Sequence, residues 1–127
     1  METPEPSWRR RLLMEALTVV AAPVSAQEAW LKKHGVETDE IALDFDHAFR
    51  MVEVLMEEGL VSRDVLPDLR MIDSIFDEMS RDESPNRWAA TALSSDAEWI
   101  RARGLAQRVL TREGVDASVL PDICVVR

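Results

Sequence analysis

Apolar residues in the middle of the chain recur at steps of three and four residues, the spacing of an amphipathic α-helix. In a first segment they are Phe45, Ala48, Phe49, Val52, Leu55 and Met56, and in a second they are Val65, Leu69, Ile72, Phe76 and Met79. Residues spaced in this way lie on one side of a helix. We therefore predict two amphipathic helices that pack antiparallel as a hairpin, and we expect residues 39–80 to organise the fold.

Capping residues predict where these two helices begin and end. Asp44 or Asp46 can accept hydrogen bonds from the first free amide groups, and Gly59 can adopt the left-handed conformation just past the first helix. Pro67 fits the first turn of the second helix, where its missing N–H has no cost. Before the first helix, apolar and polar residues alternate over 41–45, which is compatible with a short extended segment.

The N-terminal segment predicts another helix, with Leu12, Leu13, Ala16, Leu17 and Val20 on its buried side. Arg11, Glu15 and Thr18 fall on the other side. An arginine cluster followed by apolar residues also resembles a secretory signal, but Glu15 leaves only residues 16–22 as an uncharged run, which is short for such a signal. We therefore expect a helix of the folded protein, and no segment has the 18 or more apolar residues of a membrane span.

Two capping boxes predict further helix starts. They are Ser25 with Glu28 and Ser95 with Glu98, and the last helix is expected to end at Gly114. Its predicted buried positions are Trp99, Ala102, Ala106, Val109 and Leu110. A short helix after Pro85 and an extended segment after Pro121 are also predicted.

Together these elements predict one all-α domain over residues 1–127, a single compact bundle of about five or six helices. A short extended segment near 41–45 or at the C-terminus remains an open alternative. Leu, Ala, Glu and Arg are frequent and tyrosine is absent, which favours helix over sheet. The lone Cys124 cannot form an internal disulfide, so we expect a cytoplasmic location.

The net charge of −9 is concentrated in one part of the sequence. Residues 37–83 hold 15 acidic and 4 basic side chains, whereas the segments on either side are close to neutral. An acidic surface repels phosphates, so direct binding of nucleic acid is not expected. It suits a basic protein partner, because complementary fields speed association. The simpler alternative is that the acidity serves solubility alone.

The only candidate metal site is the D-x-D-H cluster of Asp44, Asp46 and His47. Carboxylate oxygens and an imidazole can hold a divalent cation. The spacing matches no EF-hand loop, no H-E-x-x-H pair and no zinc pattern, and carboxylates are favoured near the start of a helix for capping and dipole reasons alone. We therefore expect no metal and no cofactor.

No catalytic signature is present elsewhere. Cys124 lies between Ile123 and Val125, which indicates a buried and inert thiol, and no serine occurs in a nucleophile elbow. The four tryptophans, which could form a stacking platform, are Trp8, Trp30, Trp88 and Trp99. Three of them fit helical core positions, and Trp8 is the exception.

The outer faces of the central helices carry the candidate binding surface. Asp46, Glu53 and Glu57 are predicted to form an acidic ridge on the first helix, and Asp73 with Asp77 adds to it from the second. Three apolar residues lie off the predicted core beside these carboxylates and suit contact with a partner: Met51, Val54 and Met71. The alternative is that Arg101, Arg108 and Arg112 of the last helix neutralise the ridge within the molecule.

Three segments give the chain a resemblance to small acidic helical bacterial proteins: QEAWLKKHGV, DEIALDFDHAF and NRWAATALSSDAEWIRARGLAQRVL, within residues 27–110. Proteins of this type include immunity proteins encoded beside secreted toxins, which they inhibit by covering a basic active site. The resemblance implies such a role for this chain. It assigns no individual residue.

The leading functional hypothesis is therefore a non-catalytic immunity or inhibitor protein that binds a basic toxin through the acidic helical surface. The second is a homodimeric interaction or regulatory module using Met51, Val54 and Met71. The third is a carboxylate enzyme or metal protein built around Asp44, Asp46 and His47.

Overall fold

The computed structural model describes residues 6–81 and 92–115, and all regular structure in those ranges is helical. The helices are α1 (Pro6–Ala21), α2 (Val24–His34), α3 (Asp39–Phe49), α4 (Val52–Glu57), a 3-10 helix (Arg63–Val65), α5 (Leu66–Arg81), α6 (Ala92–Ser95) and α7 (Ala97–Arg112). The predicted all-α fold is thereby confirmed. The structure has seven α-helices in these ranges because the predicted central helix is divided in two and the short α6 precedes α7.

Helix α1 lies at the centre of the fold. Every residue from 13 to 22 except Glu15 is buried, and α1 packs against α7, α3 and α4. The prediction that residues 39–80 organise the fold is wrong, because apolar residues cover most of the circumference of α1 and other helices can surround it. Thr18, predicted on the polar side, is also buried, and its hydroxyl donates to the carbonyl oxygen of Met14 at 2.8 Å.

The predicted core positions of the central and last helices are confirmed, except that Phe49 is only partly buried. Aromatic rings link these helices across the core. The ring centroids of Phe45 and Phe76 are 5.9 Å apart, and those of Phe76 and Trp99 are 5.3 Å apart. Both distances lie in the range of favourable aromatic pairs, which ties α3 to α5 and α5 to α7.

The predicted N-terminal boundary of the central helix is wrong. Helix α3 begins at Asp39, after Thr38, so Asp44 and Asp46 lie within the helix rather than at its cap. Residues 41–45 are helical and not extended. Ile41, Leu43 and Phe45 alternate as in a strand, but Ile41 and Phe45 are also one helical turn apart, and both are buried. Three residues are too few to distinguish the period of a strand from that of a helix.

The central helix is also interrupted, at Arg50 and Met51. The amide of Met51 donates to the carbonyl oxygen of Ala48 at 3.2 Å, a tighter turn than that of an α-helix, and α4 then begins at Val52. Helix α3 packs against α1 and α5, whereas α4 packs against α1. In the predicted hairpin it is therefore α3, the first half of the central segment, that packs against α5.

Some helix boundaries agree with the sequence-based predictions and others are shifted. Gly59 and Gly114 have positive φ angles of 72° and 68°, as their predicted positions past helix ends require, and Pro67 lies in the first turn of α5. The predicted cap Ser95 is displaced by one residue, since the Asp96 carboxylate accepts the hydrogen bond from the amide of Glu98 at 2.9 Å.

The predicted cap at Ser25 is wrong. Helix α2 begins one residue earlier, at Val24, immediately after Pro23. No side chain caps this N-terminus. Proline fixes its own φ near the value needed to enter a helix, so Pro23 can turn the chain from α1 into α2 without a side-chain cap.

Three side chains cap the C-terminal end of α1, and we call them the α1 cap cluster: Gln27, Arg103 and Gln107. The Gln27 amide nitrogen donates to the carbonyl oxygens of Val19 and Val20, each at 3.0 Å. Gln107 donates to the carbonyl oxygen of Ala21 at 3.0 Å. These bonds satisfy carbonyl groups that have no partner within the helix.

Arg103 extends this cluster to two other elements. Its guanidinium donates to the carbonyl oxygen of Ala22 at 3.1 Å, to the side-chain oxygen of Gln27 at 2.9 Å and to the carbonyl oxygen of Leu93 at 2.8 Å. Burial lowers the pKa of Arg103. The cation lies at the negative end of the α1 dipole, which favours positive charge there.

Arg10 makes a similar connection near the start of α1. Its side chain donates to the carbonyl oxygen of Leu60 at 3.0 Å and lies 3.3 Å from the Glu113 carboxylate. The second oxygen of that carboxylate accepts from the amide of Ser62 at 3.3 Å. Helix α1 is thus joined by side chains to the segment after α4 and to the end of α7.

The predictions for the tryptophans and for the C-terminal part of the chain can be compared with the structure only where residues are described. Trp30 and Trp99 are buried as predicted, and Trp8 is exposed. The predicted short helix after Pro85, with Trp88, lies outside the described residues except at its end, where Ala92 and Leu93 belong to α6 and are buried. The C-terminal segment with Cys124 also lies outside the described residues. Within residues 6–81 and 92–115, no helix combines the length and the apolar character needed to cross a membrane.

An acidic pocket between helices α3 and α5

A pocket with a volume of about 400 Å³ opens between α3 and α5. Its walls carry four carboxylates, and its other lining residues are mostly apolar. The lining consists of Asp39, Ala42, Leu43, Phe45 and Asp46 from α3 and of Asp73, Phe76, Asp77 and Ser80 from α5. We call this site the acidic pocket.

Helical spacing explains why these carboxylates meet. Asp39 and Asp46 are seven residues apart on α3, and Asp73 and Asp77 are four residues apart on α5, so each pair lies on one side of its helix. The two helices are held together by the contact between the rings of Phe45 and Phe76 at the base of the pocket. The buried seam therefore brings the two acidic sides face to face.

Two of the four carboxylates form ion pairs with arginines of their own helices. Arg50 lies 2.9 Å from Asp46, and Arg81 lies 3.1 Å from Asp77. All four of these side chains are largely exposed, and such pairs between residues four apart contribute about 0.3–0.5 kcal/mol each. The pairs are weak enough to exchange with solvent or with another cation.

Asp73 differs from Asp46 and Asp77 because, like Asp39, it forms no ion pair with a cationic side chain among the described residues. Its side chain is partly buried and lines the pocket together with Asp46 and Asp77. Burial raises the pKa of Asp73, and the charges of Asp46 and Asp77 raise it further. All three effects disfavour the ionised form, so a cation placed in the pocket would relieve an existing electrostatic cost.

The D-x-D-H cluster does not come together as a metal site. At 100° per residue, Asp44 and His47 point away from the side of α3 that bears Asp46, and only Asp46 lines the pocket. In the part of the chain that the structure describes, no three histidine, cysteine, aspartate or glutamate side chains are placed to hold a metal ion.

The break in the central helix divides the predicted acidic ridge. Asp46 belongs to α3, whereas Glu53 and Glu57 are exposed on α4 and do not line the pocket. The prediction of a continuous ridge on one helix is therefore wrong. Asp46, Asp73 and Asp77 are the predicted site residues that the fold does bring into one place.

The predicted apolar contact residues are all on the surface. Met51 immediately precedes α4 and Val54 lies on it, with 42% and 37% of their surface exposed, and Met71 lies on α5 with 39% exposed. The sulfur of Met71 is 3.4 Å from the Arg101 guanidinium. Exposure of these residues agrees with the helical periodicity, and their contact with a partner stays a prediction.

The basic residues of α7 do not neutralise the pocket. Arg108 lies 3.3 Å from the carboxylate of Asp68, which is one of the acidic residues outside the pocket lining. Arg101 contacts Met71 and Arg112 is exposed. The negative charge of the acidic pocket is therefore balanced only in part, by Arg50 and Arg81.

Sequence reasoning missed several lining residues, of which Asp39, Leu43 and Ser80 extend the pocket beyond the predicted carboxylates. Leu43 is an apolar residue with 53% of its surface exposed at the pocket wall. The available signal was the seven-residue spacing from Asp39 to Asp46, which becomes visible only once residues 39–45 are assigned to a helix.

No family model, curated protein or solved structure matches this chain at a significant level. The function of the acidic pocket is therefore inferred from its own residues.

Proposed function

We propose that this protein is a non-catalytic binding protein, an immunity or inhibitor protein that neutralises a basic toxin through its acidic helical surface. The observation that carries the proposal is the partly uncompensated negative charge of the acidic pocket, in which Asp46, Asp73 and Asp77 share one lining. The proposal includes a cytoplasmic site of action and no direct contact with nucleic acid.

Electrostatics support a basic partner. Complementary charge steers two proteins together and raises the association rate, by about 10-fold or more when the field is focused by a cleft. In the acidic pocket a partner's cation would lower the mutual repulsion of carboxylates that the fold already holds together. Glu53 and Glu57 on α4 extend the attractive field beside the pocket.

Carboxylate catalysis needs hydrogen-bond donors that the pocket lining does not supply, and this favours binding over catalysis. A carboxyl group with a raised pKa beside ionised carboxylates is one requirement of acid–base catalysis. A developing negative charge also needs hydrogen-bond donors. Among the lining residues Ser80 carries the one hydroxyl, and it donates to the carbonyl oxygen of Phe76 at 2.9 Å.

A heterologous partner is favoured over a homodimer by the residues around Met51 and Val54. Glu53 lies between them in sequence and is exposed on the same short helix, α4, as is Glu57. In a symmetric dimer the same patch faces its own copy, so these glutamates would approach each other across the interface. Like charges placed in this way weaken association.

The decisive test measures association with the protein encoded by the neighbouring gene, by stopped-flow or surface plasmon resonance at several salt concentrations. Replacing Glu53, Glu57, Asp73 and Asp77 by alanine should slow association by about 10-fold or more and flatten its salt dependence. Helix content should stay unchanged, because surface substitutions usually alter stability by less than about 0.5 kcal/mol each.

Matched double variants show which pair of carboxylates is responsible for the slower association. Glu53→Ala with Glu57→Ala, and Asp73→Ala with Asp77→Ala, each remove two charges, as does the control Glu28→Ala with Asp64→Ala at exposed positions elsewhere. The control should retain most of the association rate. If the quadruple variant binds with an unchanged association rate and salt slope, the acidic surface does not dock this partner.

A further inference from the structure

The acidic pocket combines a charge that lacks a counter-ion with an apolar wall. Arg50 and Arg81 already place guanidinium groups on Asp46 and Asp77 at its rim. Asp73 lines the same pocket and, like Asp39, has no ion pair with any residue in the described ranges. Two carboxylates of the site thus already bind guanidinium groups of this protein, and Asp73 does not.

The apolar residues of the pocket define the shape of an occupant. Leu43 is more than half exposed although it is apolar, and Ala42 lies next to it on the same wall. A purely ionic ligand would leave this apolar surface in water. A side chain with an aliphatic stem and a cationic head would cover Leu43 and carry its charge to Asp73.

Two features favour a guanidinium over an ammonium group. Carboxylates approach the pocket from two helices, Asp46 from α3 and Asp73 with Asp77 from α5, so an occupant can contact both sides at once. A guanidinium presents five N–H donors in a planar fork, whereas an ammonium group is a compact and more strongly hydrated charge. The fork can bridge two carboxylates while giving up less hydration.

We infer that the acidic pocket receives a single arginine side chain of the protein partner, with the guanidinium on Asp73 and the aliphatic stem against Leu43. This inference rests on the proposed function, because the arginine belongs to the basic partner. The arginine is an anchor at the centre of the interface, and Glu53 and Glu57 on α4 contribute to steering instead.

The test uses blocked arginine, N-acetyl-arginine methylamide, as the probe in a nuclear magnetic resonance titration of the whole protein. The comparison ligand is the matching citrulline compound, which has nearly the same shape and no charge. Arginine should shift the amide signals of α3 and α5 around the pocket, and citrulline should bind about tenfold more weakly because it lacks the charge-assisted hydrogen bond.

Two substitutions make the test specific to Asp73. Asp73→Asn keeps the size of the side chain and should weaken arginine binding by about tenfold. Glu28→Gln removes one exposed charge on α2, away from the acidic surface, and should leave binding unchanged. Equal binding of arginine and citrulline, or equal losses in the two variants, would overturn the inference.

The outcomes also separate this inference from the proposed function. If the neighbouring gene product binds and the quadruple variant slows its association, but Asp73→Asn leaves its dissociation rate unchanged, the acidic surface docks a partner without an arginine in the pocket. If arginine binds at Asp73 and the neighbouring gene product does not bind, the selectivity of the pocket for an arginine side chain holds and the immunity role fails.

Discussion

The α1 cap cluster and the acidic pocket are two polar regions of one small protein, and they are built in opposite ways. In the cap cluster the side-chain amides of Gln27 and Gln107 and the guanidinium of Arg103 donate to carbonyl or amide oxygens at 2.8–3.1 Å. In the pocket, Asp73 meets two carboxylates of the same sign.

This difference indicates that the α1 cap cluster stabilises the fold and that the acidic pocket does not. Capping of the α1 carbonyl groups removes the cost of leaving polar atoms without partners, so the cluster stabilises the fold. Like charges gathered around Asp73 do the reverse. A group that lowers stability in the free protein is expected where a ligand or partner supplies the missing interaction.

The largest effect that tests this comparison is expected for Arg103→Met. The substitution keeps much of the aliphatic volume and removes all three hydrogen bonds, which leaves the carbonyl oxygens of Ala22 and Leu93 without this donor. We expect the free energy of unfolding to fall by about 2–4 kcal/mol in denaturant titrations. Arg101→Met on the same helix is the control and should change it by less than about 0.5 kcal/mol. Equal losses in the two variants would contradict the capping role.

A smaller loss is expected for Gln27→Leu. Gln27 is fully buried, so the carbonyl oxygens of Val19 and Val20 would lose their side-chain donor where water does not reach. The free energy of unfolding should fall by about 1–3 kcal/mol. Gln107→Leu removes one bond at an exposed position and should cost about 0.5 kcal/mol, because water can replace the donor. A larger loss at Gln107 than at Gln27 would show that burial does not set the cost.

The smallest effect on the free energy of unfolding is expected for Asp73→Asn, and it is an increase rather than a loss. The raised pKa means that the folded state binds the Asp73 proton more tightly than the unfolded state, so the ionised carboxylate destabilises the fold above that pKa. At pH 7 the variant should be more stable by about 0.5 kcal/mol, or about 2 °C in Tm. The gain should shrink as the pH falls through the raised pKa and vanish below the usual value of 3.8.

The control for this pH dependence is Glu53→Gln, an exposed carboxylate on α4 that does not line the pocket. Its Tm difference from the parent protein should stay small at every pH. A variant Asp73→Asn that is less stable than the parent at pH 7 would mean that the Asp73 carboxylate stabilises the fold, which removes the contrast between the two polar regions.

Helical periodicity predicted the buried positions well and the helix boundaries less well. Phe76, Met79 and Trp99 fall on strong repeating patterns and are buried as predicted. The start of α3 was misplaced because residues 41–45 fit two periods. The break at Arg50 and Met51 has no glycine or proline to signal it, and the helices on either side of it differ in their packing, since α3 packs against α1 and α5 and α4 packs against α1.

Helical periodicity predicted only part of the candidate site, because the start of α3 was misplaced. Asp46, Asp73 and Asp77 could be placed on the outer sides of two neighbouring helices from their spacing alone. Asp39 and Leu43 were missed because they precede the predicted helix. The α1 cap cluster was missed because Arg103 and Gln27 are 76 residues apart, and no local pattern connects a side chain to carbonyl groups at that distance.

The packing of α1 against α7 also has a consequence for synthesis of the protein. The chain emerges from the ribosome from its N-terminus, so residues 13–22 of α1 appear long before residues 97–112 of α7, which cover them. Until then α1, which has more buried residues than any other described helix, lacks a main part of its core contacts. A nascent chain in this state has the exposed apolar surface that chaperones bind, so the emergence of residues 97–112, rather than growth of the first helices, sets the earliest time at which α7 can cover α1.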